Sequence, residues 1–172
     1  TFDLITGKYH LVGGSSYIDY YDNKLFIASA TGIFGFVDID KFNNNNLQFS
    51  TIGSNIKEII NYKNFPSFYK SSLFGIKDLL IHKNKIYISY TNQMNKDCFN
   101  TSILVSDISL TKLEFKEFFT PGICVKPNNS YGEFWAGQSG GRMSPYKNNR
   151  LLFTSGEYRF RDHAQDKLNV MG

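Results

Sequence analysis

Three short stretches decide the fold: NKLFI at residues 23–27, NKIYI at 84–88 and NRLLF at 149–153. Each combines a turn asparagine, a cation and three apolar residues, and each follows a short strand-like segment after a tight turn. This pattern predicts a β-hairpin at each place. The asparagines lie 61 and 65 positions apart (23 to 84 and 84 to 149), which indicates an internal repeat.

Further strand-like stretches surround these hairpins and are separated by Gly, Asn and Asp. With the hairpin strands included, they lie at 16–21, 24–30, 33–39, 47–52, 76–81, 85–91, 102–108, 112–119 and 150–155. Two of them follow each of the first two hairpins, which makes four strands per repeat. A four-stranded unit that repeats every several dozen residues is typical of a β-propeller blade. The alternative is chance recurrence of hairpins in an Asn/Lys-rich chain.

One helix is predicted, at 54–62, where Ser54 would cap the N-terminus and Ile56, Ile59 and Ile60 share a face. Pro66 would prevent its extension. The sequence therefore predicts an all-β fold with little helix.

The length fits one domain but not a closed ring. A propeller has about 4 to 8 blades, whereas the repeats at about 11–52, 75–120 and 138–172 supply about two and a half, the third being incomplete. We therefore expect residues 1–172 to form a single partial propeller domain. Either the chain is a fragment, or other chains complete the ring, because free strand edges and an uncovered sheet face invite association.

Composition excludes several classes of protein. The chain is 41% hydrophobic and 16% aromatic, which supports a packed domain rich in strands. Its net charge of +4 comes from lysines scattered through turns, a pattern that argues against nucleic acid as a partner. The longest nearly apolar run, 25–37, is too short for a membrane span, which needs roughly 20 residues.

Several motifs, in order along the chain, resemble the soluble quinoprotein glucose dehydrogenases, also called glucose/sorbosone dehydrogenases. That family has a His beside a Gly-Gly-Arg-type strand, then a turn, a Leu/Ile-Tyr strand and Gly-Asp. The matching stretches here are LFGI at 73–76, IYISYT at 86–91, QSGGRM at 138–143, NNRLLFTSGE at 148–157, AQD at 164–166 and MG at 171–172.

The resemblance implies a six-bladed propeller that binds pyrroloquinoline quinone (PQQ) and calcium and oxidises a sugar or another small polyol. In such an enzyme a general base takes the hydroxyl proton while the quinone accepts hydride. The family's catalytic His falls on Gly137 or Gln138, depending on the alignment, and neither residue is a base. We therefore expect impaired catalysis.

The same resemblance suggests Gln138, Arg142, Glu157, Arg161 and Gln165 as cofactor-binding residues. The guanidinium of Arg142 fits carboxylates and would balance Glu157 or the cofactor. Simpler alternatives are a strand-end cation for Arg142, a surface acid for Glu157 and a loop stapled by Arg–Asp contacts at 159–166. No metal ligand is assigned within this chain, because the family's calcium ligands would lie beyond Gly172.

The two cysteines, Cys98 and Cys124, are either one disulfide across adjacent loops or two free thiols. A periplasmic or secreted location, as the resemblance implies, favours the disulfide. Two cysteines without a nearby His pair do not make a zinc site.

A non-catalytic alternative is a propeller module that recognises a glycan or a protein. Loop aromatics would then hold the ligand, and Tyr131, Phe134 and Trp135 are the candidates.

Overall fold

A computed structural model describes residues 15–41, 48–128 and 133–168. In chain order the strands are Ser16–Tyr21 (β1), Lys24–Ser29 (β2), Phe34–Asp38 (β3), Phe49–Ser54 (β4), Ile76–His82 (β5), Lys85–Asn95 (β6), Cys98–Asp107 (β7), Lys112–Leu113 (β8), Lys116–Phe119 (β9), Gly140–Tyr146 (β10) and Arg150–Ser155 (β11). Three short helices are Ile56–Ile59 (α1), Pro66–Lys70 (α2) and Arg161–Gln165 (α3).

The strands form two four-stranded antiparallel units followed by a hairpin. The first sheet runs β1-β2-β3-β4, with the short β8 added in parallel to β4, and the second runs β5-β6-β7-β9. The third is the β10-β11 pair. The predicted all-β fold, a partial propeller of about two and a half blades, is confirmed.

Each of the three repeated hairpins turns through two residues with left-handed backbone. The φ angles are 46° and 57° at Asp22 and Asn23, and 57° and 63° at Asn148 and Asn149. The middle turn, at Lys83 and Asn84, has the same form. Asn and Asp tolerate this conformation better than most residues, which explains the recurring asparagine.

Two aspartate carboxylates, half-buried Asp19 and buried Asp78, join neighbouring units. The first strand of each unit lies beside the first strand of the next, so that β5 packs between β1 and β10. Asp19 of β1 accepts the Ile81 N–H through Oδ2 at 2.6 Å, and Asp78 of β5 accepts the Met143 N–H through Oδ2 at 2.7 Å. These bonds fix the position of β5 against both neighbours.

The main core lies between the first and second sheets and under the helices. It is built mostly from β-branched and aromatic side chains, which suit pleated, half-buried surfaces. Its members include Phe26, Phe34, Ile52, Ile56, Phe65, Phe68, Ile76, Ile88, Phe99, Leu104 and Tyr158. A second, smaller cluster joins the second sheet to the last hairpin through Tyr87, Ile103, Val105 and Met143.

The predicted helix at 54–62 is wrong in extent. The structure has a single turn, Ile56–Ile59, because Ser54 is the last residue of β4 and the Asn55 side chain is engaged elsewhere. The Asn55 amide bonds both backbone groups of Phe115, at 2.9 and 2.8 Å. Pro66 is the first residue of a second short helix, where the missing N–H of proline removes no helical hydrogen bond.

The predicted disulfide between Cys98 and Cys124 is confirmed, with a Cα–Cα distance of 5.4 Å. It ties the start of β7 to the segment in which Val125 pairs with Phe99. Among the described residues, no helix is long and apolar enough to cross a membrane.

Candidate functional site

A polar cleft of about 580 Å³ opens where β1, β5 and β10 meet. We call it the Lys77 pocket. Its walls come from the start of β1, the loop before β5, β5 itself and the turn before β10. The side chains and backbone that matter most are Ser16, Tyr17, Ser72, Lys77, Gly137 and Arg142.

Lys77 is a buried cation in this pocket, with 8% of its surface exposed. Its Nζ donates to the carbonyl oxygens of Leu73 at 2.5 Å, Ser72 at 3.2 Å and Ala136 at 3.3 Å. An ammonium has three donors, so all three are used. Burial lowers the pKa of Lys77 to about 8, which leaves the side chain mostly charged at neutral pH. It therefore clamps the loop before β5 to the turn before β10.

Gly141 makes room for this lysine. Its φ is +111°, and a Cβ there would lie 2.4 Å from the Cβ of Lys77. Any side chain would therefore collide with the lysine and strain the backbone. The glycine lets β10 pack directly on Lys77 and sets Arg142, the next residue, at the pocket wall.

Arg142 is oriented by two contacts although its side chain is 75% exposed. Its Nη1 donates to Asp78 Oδ1 at 3.0 Å, and its guanidinium lies 5.9 Å from the Tyr17 ring centroid. The pKa of Tyr17 is raised, mainly because its side chain is partly buried, so the phenol stays neutral at ordinary pH. The carboxylate that balances Arg142 is thus Asp78 and not Glu157.

The two candidate positions for the family's base differ in placement. Gly137 lines the pocket, whereas Gln138 is exposed and does not line it. Both lie in a 3-10 turn, Ala136–Gln138. A Cβ on Gly137 would lie 3.0 Å from the Trp135 ring and 3.2 Å from the side chain of Leu73. Position 137 is therefore the one that faces the pocket, and it has no side chain.

The other proposed cofactor residues do not line the pocket. Glu157 follows β11 and is half-buried, while Arg161 and Gln165 are exposed at the two ends of α3. Of the five residues, the structure brings only Arg142 to the pocket wall. The cofactor roles of all five residues, Gln138, Arg142, Glu157, Arg161 and Gln165, stay predictions.

The aromatic residues proposed for ligand recognition differ in their placement. Phe134 is half-buried and packs against the core, stacked on Tyr158 at a centroid distance of 5.5 Å. Trp135 is 40% exposed, and the Arg159 guanidinium lies 4.3 Å from its ring centroid. Tyr131 lies outside the described residues. Of the two candidate aromatics that the structure describes, Trp135 is therefore the accessible one.

Sequence reasoning missed Lys77, Asp78 and Tyr17. A usable signal was present, because two charged residues interrupt an otherwise apolar strand at 76–81. Charges inside a buried strand need partners, and such residues often mark a site. Within the ranges described, no group of three or more His, Cys, Asp or Glu side chains is arranged to hold a metal ion.

No family model and no curated protein matches the chain. Solved structures do. A glucose dehydrogenase aligns with a TM-score of 0.61 at 15% identity, covering 91% of this chain and 44% of its own. A second glucose dehydrogenase aligns with a TM-score of 0.58 at 17% identity, and the alignment covers 91% of this chain and 41% of that protein.

A third solved structure, a protein from Thermus thermophilus described as a putative oxidoreductase (glucose dehydrogenase), gives 0.53 at 15% identity, covering 93% of this chain and 45% of its own. The chain therefore spans less than half the length of each of these proteins. Over that span it has a distant glucose dehydrogenase-like fold.

Proposed function

We propose that the chain is part of a PQQ-dependent sugar or alcohol dehydrogenase-like propeller of the six-bladed type, and that its catalysis is impaired. The observation that carries the proposal is the Lys77 pocket. In a fold like that of glucose dehydrogenases, a cleft opens beside Gly137, which is one of the two positions, with Gln138, on which the sequence resemblance places the family's base. The proposed substrate class is a sugar or another small polyol.

The pocket's donors fit an anionic cofactor. PQQ carries carboxylates, and a guanidinium has five N–H donors, of which Asp78 takes one from Arg142. Arg142 would hold a carboxylate, and Lys77 would supply a second positive charge without contact. Bound quinone would supply the hydride acceptor for alcohol oxidation. Calcium would need oxygen ligands, and we assign none to this chain.

Impairment follows from the missing proton acceptor. Oxidation of an alcohol releases the hydroxyl proton together with the hydride, so a base must lie within hydrogen-bond reach of that hydroxyl. Gly137 offers no side chain, and the amide of Gln138 is not a base. The ammonium of Lys77 is protonated and fully bonded, so it cannot accept the proton at neutral pH.

Reconstitution tests the proposal. The chain is incubated with PQQ and calcium, and dye reduction with aldoses is followed beside the absorbance of bound quinone. We expect bound quinone without turnover. Robust turnover would contradict the impairment, and absence of quinone binding would contradict the cofactor assignment.

Trp135 favours a second candidate, a non-catalytic module for glycan or protein recognition. Its ring is 40% exposed, and the Arg159 guanidinium lies over it at 4.3 Å, so a sugar ring would stack on the part that remains exposed. We expect Trp135→Ala to abolish glycan binding on an array, with Phe119→Ala, an exposed aromatic on β9, as the matched control. An array that returns no ligand for the unmodified protein contradicts this candidate.

We further propose a periplasmic or secreted location and closure of the ring by remaining blades or another chain. The disulfide supports the location, because such bonds persist in oxidising compartments. Thiol alkylation in intact cells, followed by mass measurement, tests it. Two alkylated cysteines would contradict it.

A further inference from the structure

We infer that the Lys77 pocket binds the carboxylate of a small hydroxylated acid, a sugar acid such as a uronate. This ligand class differs from the neutral sugar of the proposed function. A uronate carboxylate would use the Arg142 donors that the proposed function gives to PQQ, so the two ligands would compete for the pocket and the inference does not rest on that function. The experiment below measures binding alone.

The first argument is the charge at the base of the pocket. Buried charges in proteins are normally paired with an opposite charge. In the part of the chain that the structure describes, no carboxylate lies within salt-bridge distance of Lys77, and its partners are three neutral carbonyls. The lysine therefore leaves the pocket with a positive charge that an anionic ligand would balance.

The second argument is the geometry of Arg142. Asp78 and the Tyr17 ring hold its guanidinium in place before any ligand arrives. Asp78 Oδ1 is bonded to Nη1, while the remaining N–H groups are available to a carboxylate on the pocket side. Because the fork is already ordered, binding costs less conformational entropy than it would with a mobile arginine.

The balance of charge favours a monoanion. Lys77 and Arg142 contribute two positive charges and Asp78 one negative charge, so the three groups leave one positive charge. One carboxylate neutralises it. A neutral sugar leaves it uncompensated, and a cation is repelled.

The third argument is the rest of the lining. Ser15, Ser16, Ser72 and the Tyr17 phenol surround the cleft with hydroxyl groups. Hydroxyls both donate and accept hydrogen bonds, so they suit the hydroxyl groups of a sugar. A carboxylate on a hydroxylated carbon chain therefore matches both the charged and the neutral part of the pocket.

The chain's single tryptophan provides the readout. The Trp135 ring lies against Gly137, which lines the pocket, so its fluorescence reports binding there. The intact chain is titrated with glucuronate, with its neutral amide glucuronamide, with sulfate and with PQQ. We expect saturable binding of glucuronate that is at least tenfold tighter than that of glucuronamide or sulfate, and weaker at high salt.

Four variants assign the site. Arg142→Gln should weaken glucuronate binding about tenfold to hundredfold, since a charge-assisted pair is lost. Arg142→Lys should recover only part of it, because the fork is missing. Lys77→Met should weaken it too, and Arg150→Gln, an exposed arginine outside the pocket, should leave it unchanged. If Lys77→Met fails to fold, the two Arg142 variants alone test whether glucuronate binds in the Lys77 pocket.

Each outcome separates this inference from the proposed function. Equal affinity for glucuronate and glucuronamide, or sulfate binding as tight as glucuronate, overturns the inference. Binding of PQQ without glucuronate overturns it as well and supports the cofactor assignment. Binding of glucuronate without PQQ supports it and contradicts that assignment.

Discussion

At the residue scale, Lys77 makes folding stability depend on pH. Its pKa is lowered to about 8 in the folded chain from an ordinary 10.5, because burial disfavours the charged form. Between these values the unfolded chain binds more protons, so stability rises with pH. We expect the free energy of unfolding of the native protein to rise by roughly 2 kcal/mol, relative to Lys77→Met, from about pH 7.5 to about pH 9.5.

Denaturant titrations at each pH measure this difference. The raised pKa of Tyr69, about 12, weakens stability only at higher pH and does so in both proteins, so it cancels. A difference that stays constant across this pH range would show that the lysine is not desolvated as the structure describes.

Asp78 should be the most sensitive charged residue of the interface between β5 and β10. Its side chain is 8% exposed, and its two oxygens serve the Arg142 guanidinium and the Met143 N–H. Asp78→Asn places an amide N–H against one of these donors, so we expect a loss of roughly 2–4 kcal/mol of unfolding free energy. Thermal and denaturant unfolding measure it.

Asp107→Asn is the matched control. Asp107 also pairs with a cation, Lys85, but both are exposed to solvent. Exposed pairs contribute little, so this variant should unfold almost as the native protein does. Equal losses in the two aspartate variants would contradict the special role of Asp78.

Residue identity predicted only part of the pocket. The family resemblance singled out Arg142 as a cofactor-binding residue. It placed the family's base on Gly137 or Gln138, of which Gly137 lines the pocket. Lys77 was missed because its burial depends on Gly141, which lies in a different unit 64 positions later. No local pattern contains that contact.

At the scale of elements, the hairpin turns should determine register. Asn23 has a φ of 57°, a conformation that β-branched residues rarely adopt. We expect Asn23→Val to cost roughly 1–2 kcal/mol, while Asn23→Gly leaves stability nearly unchanged. Thermal unfolding of both variants measures this. Similar melting temperatures for valine and glycine would contradict a left-handed turn.

The hairpins were predictable because their signal is local, with turn residues flanked by apolar strands. The stretch at 112–119 was not. It reads as one strand, but Lys112–Leu113 pairs with β4 of the first sheet and Lys116–Phe119 with β7 of the second. Asn55 separates the two by bonding the Phe115 backbone. This long-range contact is invisible in the sequence pattern.

The start of β7 shows the same limit. The strand was expected from 102 but begins at Cys98, because polar residues that look like a loop are buried and bonded. The Asn100 amide donates to the carbonyls of Pro121 and Ile123. Polarity alone therefore misplaced the boundary.

At the scale of the whole molecule, the last hairpin has one covered and one open face. Leu151, Phe153 and Met143 pack against the second sheet, whereas Leu152 on the opposite face is 53% exposed. Tyr146 is exposed as well. Apolar groups on a strand-edged unit of this kind promote association.

We therefore expect the isolated chain to associate as its concentration rises, and Leu152→Ser to shift that association to higher concentration. Sedimentation velocity over a wide concentration range measures both. Leu168→Ser is the control, because Leu168 is 95% exposed but follows α3 and belongs to no strand. If removal of either leucine has the same effect, general hydrophobicity and not the open sheet face drives association. If the chain stays monomeric at every concentration, the open face of the last hairpin does not drive association, and the prediction is wrong.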